Sequence, residues 1–165
     1  MTPPSGAPRV GIGYDVHRLA SDRRLVLGGI EIEHPRGLVG HSDGDVLVHA
    51  LIDALLGAAG IGDIGTHFPS DDPRYEGASS LGLLGTVRTL VERAGLAVAS
   101  TDATVVAQAP RLSPHVAAMR SRIAEALGVP AGSVSVKATT NDGIGVVGGG
   151  DAIAAFATAV LVQRG

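Results

Sequence analysis

The sequence predicts a single α/β domain, on three observations. Alternating apolar runs read as strands, helix-like stretches with recognisable starts and stops lie between them, and there is neither an internal repeat nor an interior linker. At 165 residues the chain is long enough for one well-buried core and too short for two ordinary domains.

Met1–Pro8 is rich in Pro, Ser and Gly and reads as a flexible N-terminus, with the domain proper over 9–165. From Arg9 the chain alternates, with Val10, Ile12 and Tyr14 on one side and Asp15 and His17 following two apart. Arg24–Glu33 reads as two short strands around Gly28-Gly29. Gly40-His41-Ser42-Asp43-Gly44 is a turn in which Ser42 is placed to cap the next helix, over about 45–59. A second helical stretch covers about 79–94 and stops at Gly95, and 98–108 is strand-like. Ser113-Pro114 opens a third helix that ends at Gly128. Ser133–Thr139 is a further strand, a Gly-rich loop spans 143–150, and the apolar run 152–162 is helix or strand by period alone.

Composition narrows the chemistry. With two Phe, two Tyr and no Trp, the core must be built from Val, Leu, Ile and Ala in tight packing. Net charge is −3, Lys137 is the single lysine and twelve Arg are scattered, so there is no clustered positive footprint for nucleic acid. The absence of Cys excludes disulfides and thiolate metal sites, leaving His and carboxylates as the possible ligands. No leader pattern and no apolar run near membrane-spanning length is present, from which a cytoplasmic protein without a membrane partner is expected.

The helix over 45–59 is apolar nearly all round, as a buried helix is, yet Asp45, His49 and Asp53 recur four apart and form one polar stripe. Burying them without partners would cost several kcal/mol, so they need a cation, a donor network or a cleft. Asp15 and His17 share one strand face. With His49 they make an Asp-His-His set with a fourth position open, the arrangement expected of a catalytic zinc.

The blocks Gly11-Ile-Gly-Tyr-Asp-Val-His-Arg-Leu19 and Gly40-His-Ser-Asp-Gly-Asp-Val-Leu-Val-His-Ala-Leu-Ile-Asp-Ala-Leu-Leu-Gly57 resemble the 2-C-methyl-D-erythritol 2,4-cyclodiphosphate synthase family of non-mevalonate isoprenoid biosynthesis. Gly62-Asp-Ile-Gly-Thr-His-Phe-Pro69, Gln108-Ala-Pro110 and Val136-Lys-Ala-Thr-Thr140 follow in the family's order and spacing.

The pattern and the resemblance together imply an α+β two-layer sandwich with a four-stranded mixed sheet, the run 152–162 among its strands, and helices on one face. The resemblance adds a homotrimer with active sites between subunits. It implies zinc on Asp15, His17 and His49, with Asp53 orienting a zinc-bound histidine. It implies that 4-diphosphocytidyl-2-C-methyl-D-erythritol 2-phosphate is cyclised with loss of CMP, His41 and Thr140 stabilising the transition state. Ser42 and Thr139 then meet phosphates, Asp63 and Gly65 the ribose, and Phe68, Ser70, Asp72 and Ala138 other parts of the substrate. Ala107 to Ser113, including Arg111 and Leu112, resembles a cytosine-binding loop. Asp142 stands where the family commonly has a Glu that holds a second cation, Mg2+ or Mn2+. Val146 and Gly149 replace a Phe and an Arg that often line the trimer axis, so no side-chain grip on an isoprenoid diphosphate is expected there.

Two other readings fit part of the sequence. A zinc hydrolase explains the Asp-His-His set but leaves Thr139-Thr140 and 107–113 without a task. A metal-stabilised binding module leaves the phosphate donors unused.

Overall fold

The structure is a computed structural model and describes residues 6–165; residues 1–5 of the expected flexible N-terminus lie outside the described residues. Among the described residues seven strands and five α-helices follow in the order β1 (Arg9–Ser21), β2 (Leu25–Leu27), β3 (Ile30–Ile32), β4 (Arg36–Leu38), α1 (Val46–Ala59), α2 (Ile64–His67), α3 (Ser80–Arg93), β5 (Leu96–Val106), α4 (Val116–Leu127), β6 (Val134–Thr139), α5 (Gly145–Gly148) and β7 (Ala152–Gln163). The central sheet has the order β4-β1-β7-β5-β6 and is mixed, since β5 and β6 run parallel and the other pairs antiparallel.

This sheet has five strands rather than the expected four. The addition is β4, which pairs Arg36–Leu38 with Ser21–Leu19 at the edge. Three residues centred on a glycine carry no alternation from which a strand could be predicted. The short strands around Gly28-Gly29 form a separate hairpin.

The ambiguous run 152–162 is a strand because it sits between β1 and β5, where small residues face α1: Ala155, Ala157 and Ala159 are all buried. The cap of α1 is Asp45, not Ser42. Its carboxylate accepts from the Val48 N–H at 3.1 Å, and the Ser42 hydroxyl lies instead beside His49 Nε2 and Ser80 Oγ. Helix α4 begins at Val116, after a turn through Ser113–His115, and the Gly-rich loop contains the single turn α5.

Helix α1 lies across β1 and β7, α3 lies against α1, and α4 bridges α3 and β6. The approach of α1 to β1 is close because of two glycines. A Cβ on Gly11 would stand 2.0 Å from the Ala54 carbonyl oxygen, and one on Gly13 would stand 1.9 Å from that of Ala50. The opposite face of β1 shows Val10, Ile12, Tyr14 and Val16 to solvent, and Tyr14 packs against exposed Phe156 with ring centroids 4.9 Å apart. Among the described residues no helix is long and apolar enough to cross a membrane.

Two glycine substitutions separate close packing from helix propensity. Gly13→Ala must push α1 off the sheet and is expected to cost about 3 kcal/mol. Gly85→Ala, inside α3 with nothing near its missing Cβ, is expected to gain about 0.5–1 kcal/mol. Urea unfolding of both variants checks the pair.

Candidate metal centre and active site

The odd residues of β1 face α1, and past the two glycines the next two in that row are Asp15 and His17. They meet His49, one turn beyond the Asp45 cap. Asp15 Oδ2 lies 2.9 Å from His17 Nε2 and 3.0 Å from His49 Nδ1. One ligand atom from each of the three residues falls within 4.8 Å of the others, so the set could hold a metal ion. The donors suit a divalent cation: two imidazoles, one carboxylate, and an opening toward a hollow of about 240 Å³ that supplies the fourth position. His17 Nδ1 is buried without a hydrogen-bond partner, and Gly40 lies against that ring, where an added Cβ would come within 3.2 Å.

The electrostatics follow from this convergence. Burial acts to raise the pKa of Asp15, but hydrogen bonds from His17 and His49 outweigh it and hold the carboxyl well below the usual range. Burial acts to lower His17, and the bond to Asp15 and its charge carry it upward overall.

The other acids of the α1 stripe have separate tasks. Asp45 is fully buried and accepts from the backbone N–H groups of Gly28 at 3.0 Å, Gly29 at 2.7 Å and Val48, so it clamps the β2–β3 hairpin onto the helix start. Burial pushes its carboxyl up to about 6. Asp53 corrects an expectation: its carboxylate accepts from the Ile64 N–H at 2.8 Å, anchoring α2, and not from a histidine ring. The far nitrogen of His49 faces hydroxyls instead, Ser80 Oγ at 2.9 Å and Ser42 Oγ at 3.0 Å. Ser80 had no signal in the sequence beyond a Ser-Ser pair at a helix start.

The hollow beside the triad is also lined by His41, Ser42, Asp53, Gly65, Phe68 and Ser70. His41 Nε2 donates to the Asp72 carbonyl at 3.0 Å, which fixes its ring on the loop leading to α3. Asp72 does not line the hollow; its carboxylate caps the turn Pro73–Tyr75 and pairs with Arg74. Asp63 caps α2 through Thr66 and is exposed.

A second hollow, of about 290 Å³, gathers Ala107, Arg111, Leu112, Ser113, Ala138, Thr139 and Thr140 around the cis bond Ala109–Pro110. Arg111 donates to Ser113 Oγ at 3.0 Å, and Ala107 N–H continues the β5–β6 ladder to the Thr139 carbonyl at 3.0 Å. Asp142, at φ 49°, accepts from the Thr140 hydroxyl at 3.2 Å. The two hollows share one level of the sheet. Asp15 registers with Ala155, Ala155 with Val105, and Val105 with Ala138, three strand spacings or about 14 Å across.

A sequence model of the YgbB family matches residues 8–162. This chain belongs to the YgbB family. Members similar to it include the 2-C-methyl-D-erythritol 2,4-cyclodiphosphate synthase of Alkaliphilus oremlandii, 53% identical over 94% of the chain and 99% of that protein. The bifunctional enzyme IspD/IspF of Desulforudis audaxviator is 58% identical, and the chain spans 40% of its length. Among solved structures of the family, the bifunctional IspDF of Campylobacter jejuni superposes with a TM-score of 0.93 at 39% identity, over 97% of this chain and 43% of that one. A CDP complex of IspF from Plasmodium falciparum gives 0.84 at 32% identity, over 96% and 98%.

Asp45→Ala would leave three N–H groups without an acceptor and is expected to cost about 3 kcal/mol. A lowered urea midpoint with an unchanged slope checks it.

Proposed function

We propose that the chain converts 4-diphosphocytidyl-2-C-methyl-D-erythritol 2-phosphate into 2-C-methyl-D-erythritol 2,4-cyclodiphosphate and CMP, in isoprenoid precursor biosynthesis. The observation that carries this reading is the convergence of Asp15, His17 and His49 on one opening of a hollow, in a chain matching relatives of that name along nearly their whole length. An oxygen of the 2-phosphate attacks the β-phosphorus, the bond from that phosphorus to the CMP oxygen breaks, and CMP leaves with the electron pair. No covalent enzyme intermediate is needed, so the protein contributes positioning and charge stabilisation.

Zinc held by Asp15, His17 and His49, and Mg2+ or Mn2+ near Asp142, would supply positive charge against the phosphates when bound. His41 and Ser42 line the metal-side hollow with donors for phosphate oxygens. Ser42 keeps this role in the proposal although it is not the helix cap. Thr140 and the Thr139 backbone present donors from the end of β6. Asp142 at the Thr140 hydroxyl reaches the second cation directly or through water, since Asp is shorter than the family's Glu. Asp63 and Gly65 take the ribose, and Ala107, Arg111, Leu112, Ser113 and Ala138 enclose cytosine largely through backbone groups. Phe68, Ser70 and Asp72 meet the methylerythritol part, and Asp53 supports this wall through Ile64.

Thr140 and His41 stand in different hollows of one chain, which supports a site completed by a second copy. The exposed apolar face of β1 and β7 supports the same homotrimer, because Val10, Ile12, Val16 and Phe156 are otherwise left in water. No isoprenoid diphosphate is gripped by Val146 or Gly149 in this reading, and Arg36, which reaches that loop, is engaged by the Gly150 carbonyl and Asp151. A cytoplasmic setting belongs to the proposal, since a multiply charged phosphate ester does not cross a bilayer unaided.

Phosphorus NMR of the purified chain with substrate and Mg2+ or Mn2+ is expected to show CMP and a cyclic diphosphate in equal amounts, both lost on chelation. Linear phosphates would favour the zinc hydrolase. Thr140→Ala is expected to lower kcat by about 100-fold or more while the fold persists. Ile12→Lys is expected to give a monomer in analytical ultracentrifugation that has lost turnover.

A further inference from the structure

His49 can serve a metal through Nδ1 only if its single imidazole proton then resides on Nε2, whereas the Asp15 carboxylate, 3.0 Å from Nδ1, by itself favours the other tautomer. The structure contains an enforcing group. Ser80, the first residue of α3, has no accessible surface, and its Oγ lies 2.9 Å from His49 Nε2. The Ser80 hydroxyl donates to Asp43 Oδ1, while the Ser80 backbone N–H donates to Asp43 Oδ2 at 2.9 Å. Asp43 Oδ1 also accepts from the Asp45 N–H at 3.2 Å, so the carboxylate is held at both oxygens.

The direction of this chain has one solution. A carboxylate only accepts, so the Ser80 proton is committed to Asp43, and Ser80 Oγ can offer His49 nothing but a lone pair. His49 Nε2 must then carry a proton, so that when a metal ion takes the place of the Nδ1 proton now shared with Asp15 Oδ2 at 3.0 Å, the Nδ1 lone pair is the one left for it. Ser42 Oγ also lies 3.0 Å from Nε2, but it lines the hollow and makes no bond to a carboxylate. With Ser80 holding the ring, Ser42 is free to turn toward a substrate oxygen.

We infer that Ser80 and Asp43 are positioning residues that fix the tautomer and orientation of His49 for metal binding. The inference rests on the metal reading of the triad and assigns no contact with substrate. Outer partners of this kind commonly contribute 10- to 100-fold to metal affinity.

The test is zinc affinity by competition with a chromophoric chelator, together with the imidazole N–H proton resonance of zinc-loaded, nitrogen-15-labelled protein. The wild-type chain is expected to bind zinc and to show a His49 Nε2–H resonance protected from solvent exchange. Ser80→Ala is expected to weaken zinc binding by about 10- to 100-fold and to shift and deprotect that resonance. Asp43→Asn, isosteric but able to point N–H at Ser80, is expected to weaken binding as well. Ser79→Ala, whose side chain makes no capping bond, should match the wild type. Affinity within about twofold of wild type in Ser80→Ala, with an unchanged resonance, would overturn the inference. If Ser80→Ala does not fold, unchanged affinity in Asp43→Asn overturns it. A wild-type chain that binds no zinc would overturn the metal reading and this inference with it.

Discussion

The contact between two glycines of β1 and the backbone of α1 governs the rest of the molecule. At Gly11 and Gly13 the strand has no side chain on its inner face, and the carbonyl oxygens of Ala54 and Ala50 occupy the space. Helix and sheet therefore approach to a distance that the larger side chains of an ordinary interface would forbid. Immediately beyond, Asp15 and His17 carry full side chains in the same row, and the space they need is where His49 reaches down from the helix. The three residues that could hold a metal ion converge where a close interface opens into a hollow.

The stripe of polar residues on α1 shows how a buried helix carries charge without being destabilised by it. Asp45 has three backbone donors, His49 has a carboxylate on one nitrogen and hydroxyls on the other, and Asp53 has the Ile64 N–H. Each group meets a partner from a different element: the β2–β3 hairpin, β1 and α3, and the start of α2. The polar residues thus act as ties between secondary structures, and their cost of burial is offset by the order they impose.

The same economy explains the division of the site. Strand β1 and helix α1 carry Asp15, His17 and His49, and the end of β6 leads to Thr140, three strand spacings away. A single row across the pleat keeps these groups level but separate. In the proposed function a second subunit closes this gap, and the exposed apolar face of β1 and β7 is consistent with that proposal.

Much of this was legible in the residues because it depends on short-range pattern. The Asp15–His17 pair shares a face by strand alternation, His49 falls on a helix by its apolar neighbours, and Gly95 and Gly128 follow the helices they end. The family could be read from five short blocks in order, and the chain matches it along nearly its full length. Other features were decided only in three dimensions. Edge strand β4 exists because Leu19 offers a free edge to Leu38, 19 residues later, and three residues have no period of their own. Period alone leaves Ala152–Gln163 equally suited to a helix; the resemblance makes it a strand, and its two neighbours in the sheet show why. Asp45 and not Ser42 is the cap because α1 starts at Val46, while the Ser42 hydroxyl lies beside His49 and Ser80. Asp53 turned to Ile64 while Ser80, 31 residues from His49, took the place beside its ring. Sequence determines which side chains share an element and a face; which partner each buried polar group finds is decided by packing, because hydrogen bonds require contact between atoms that only the assembled layers bring together.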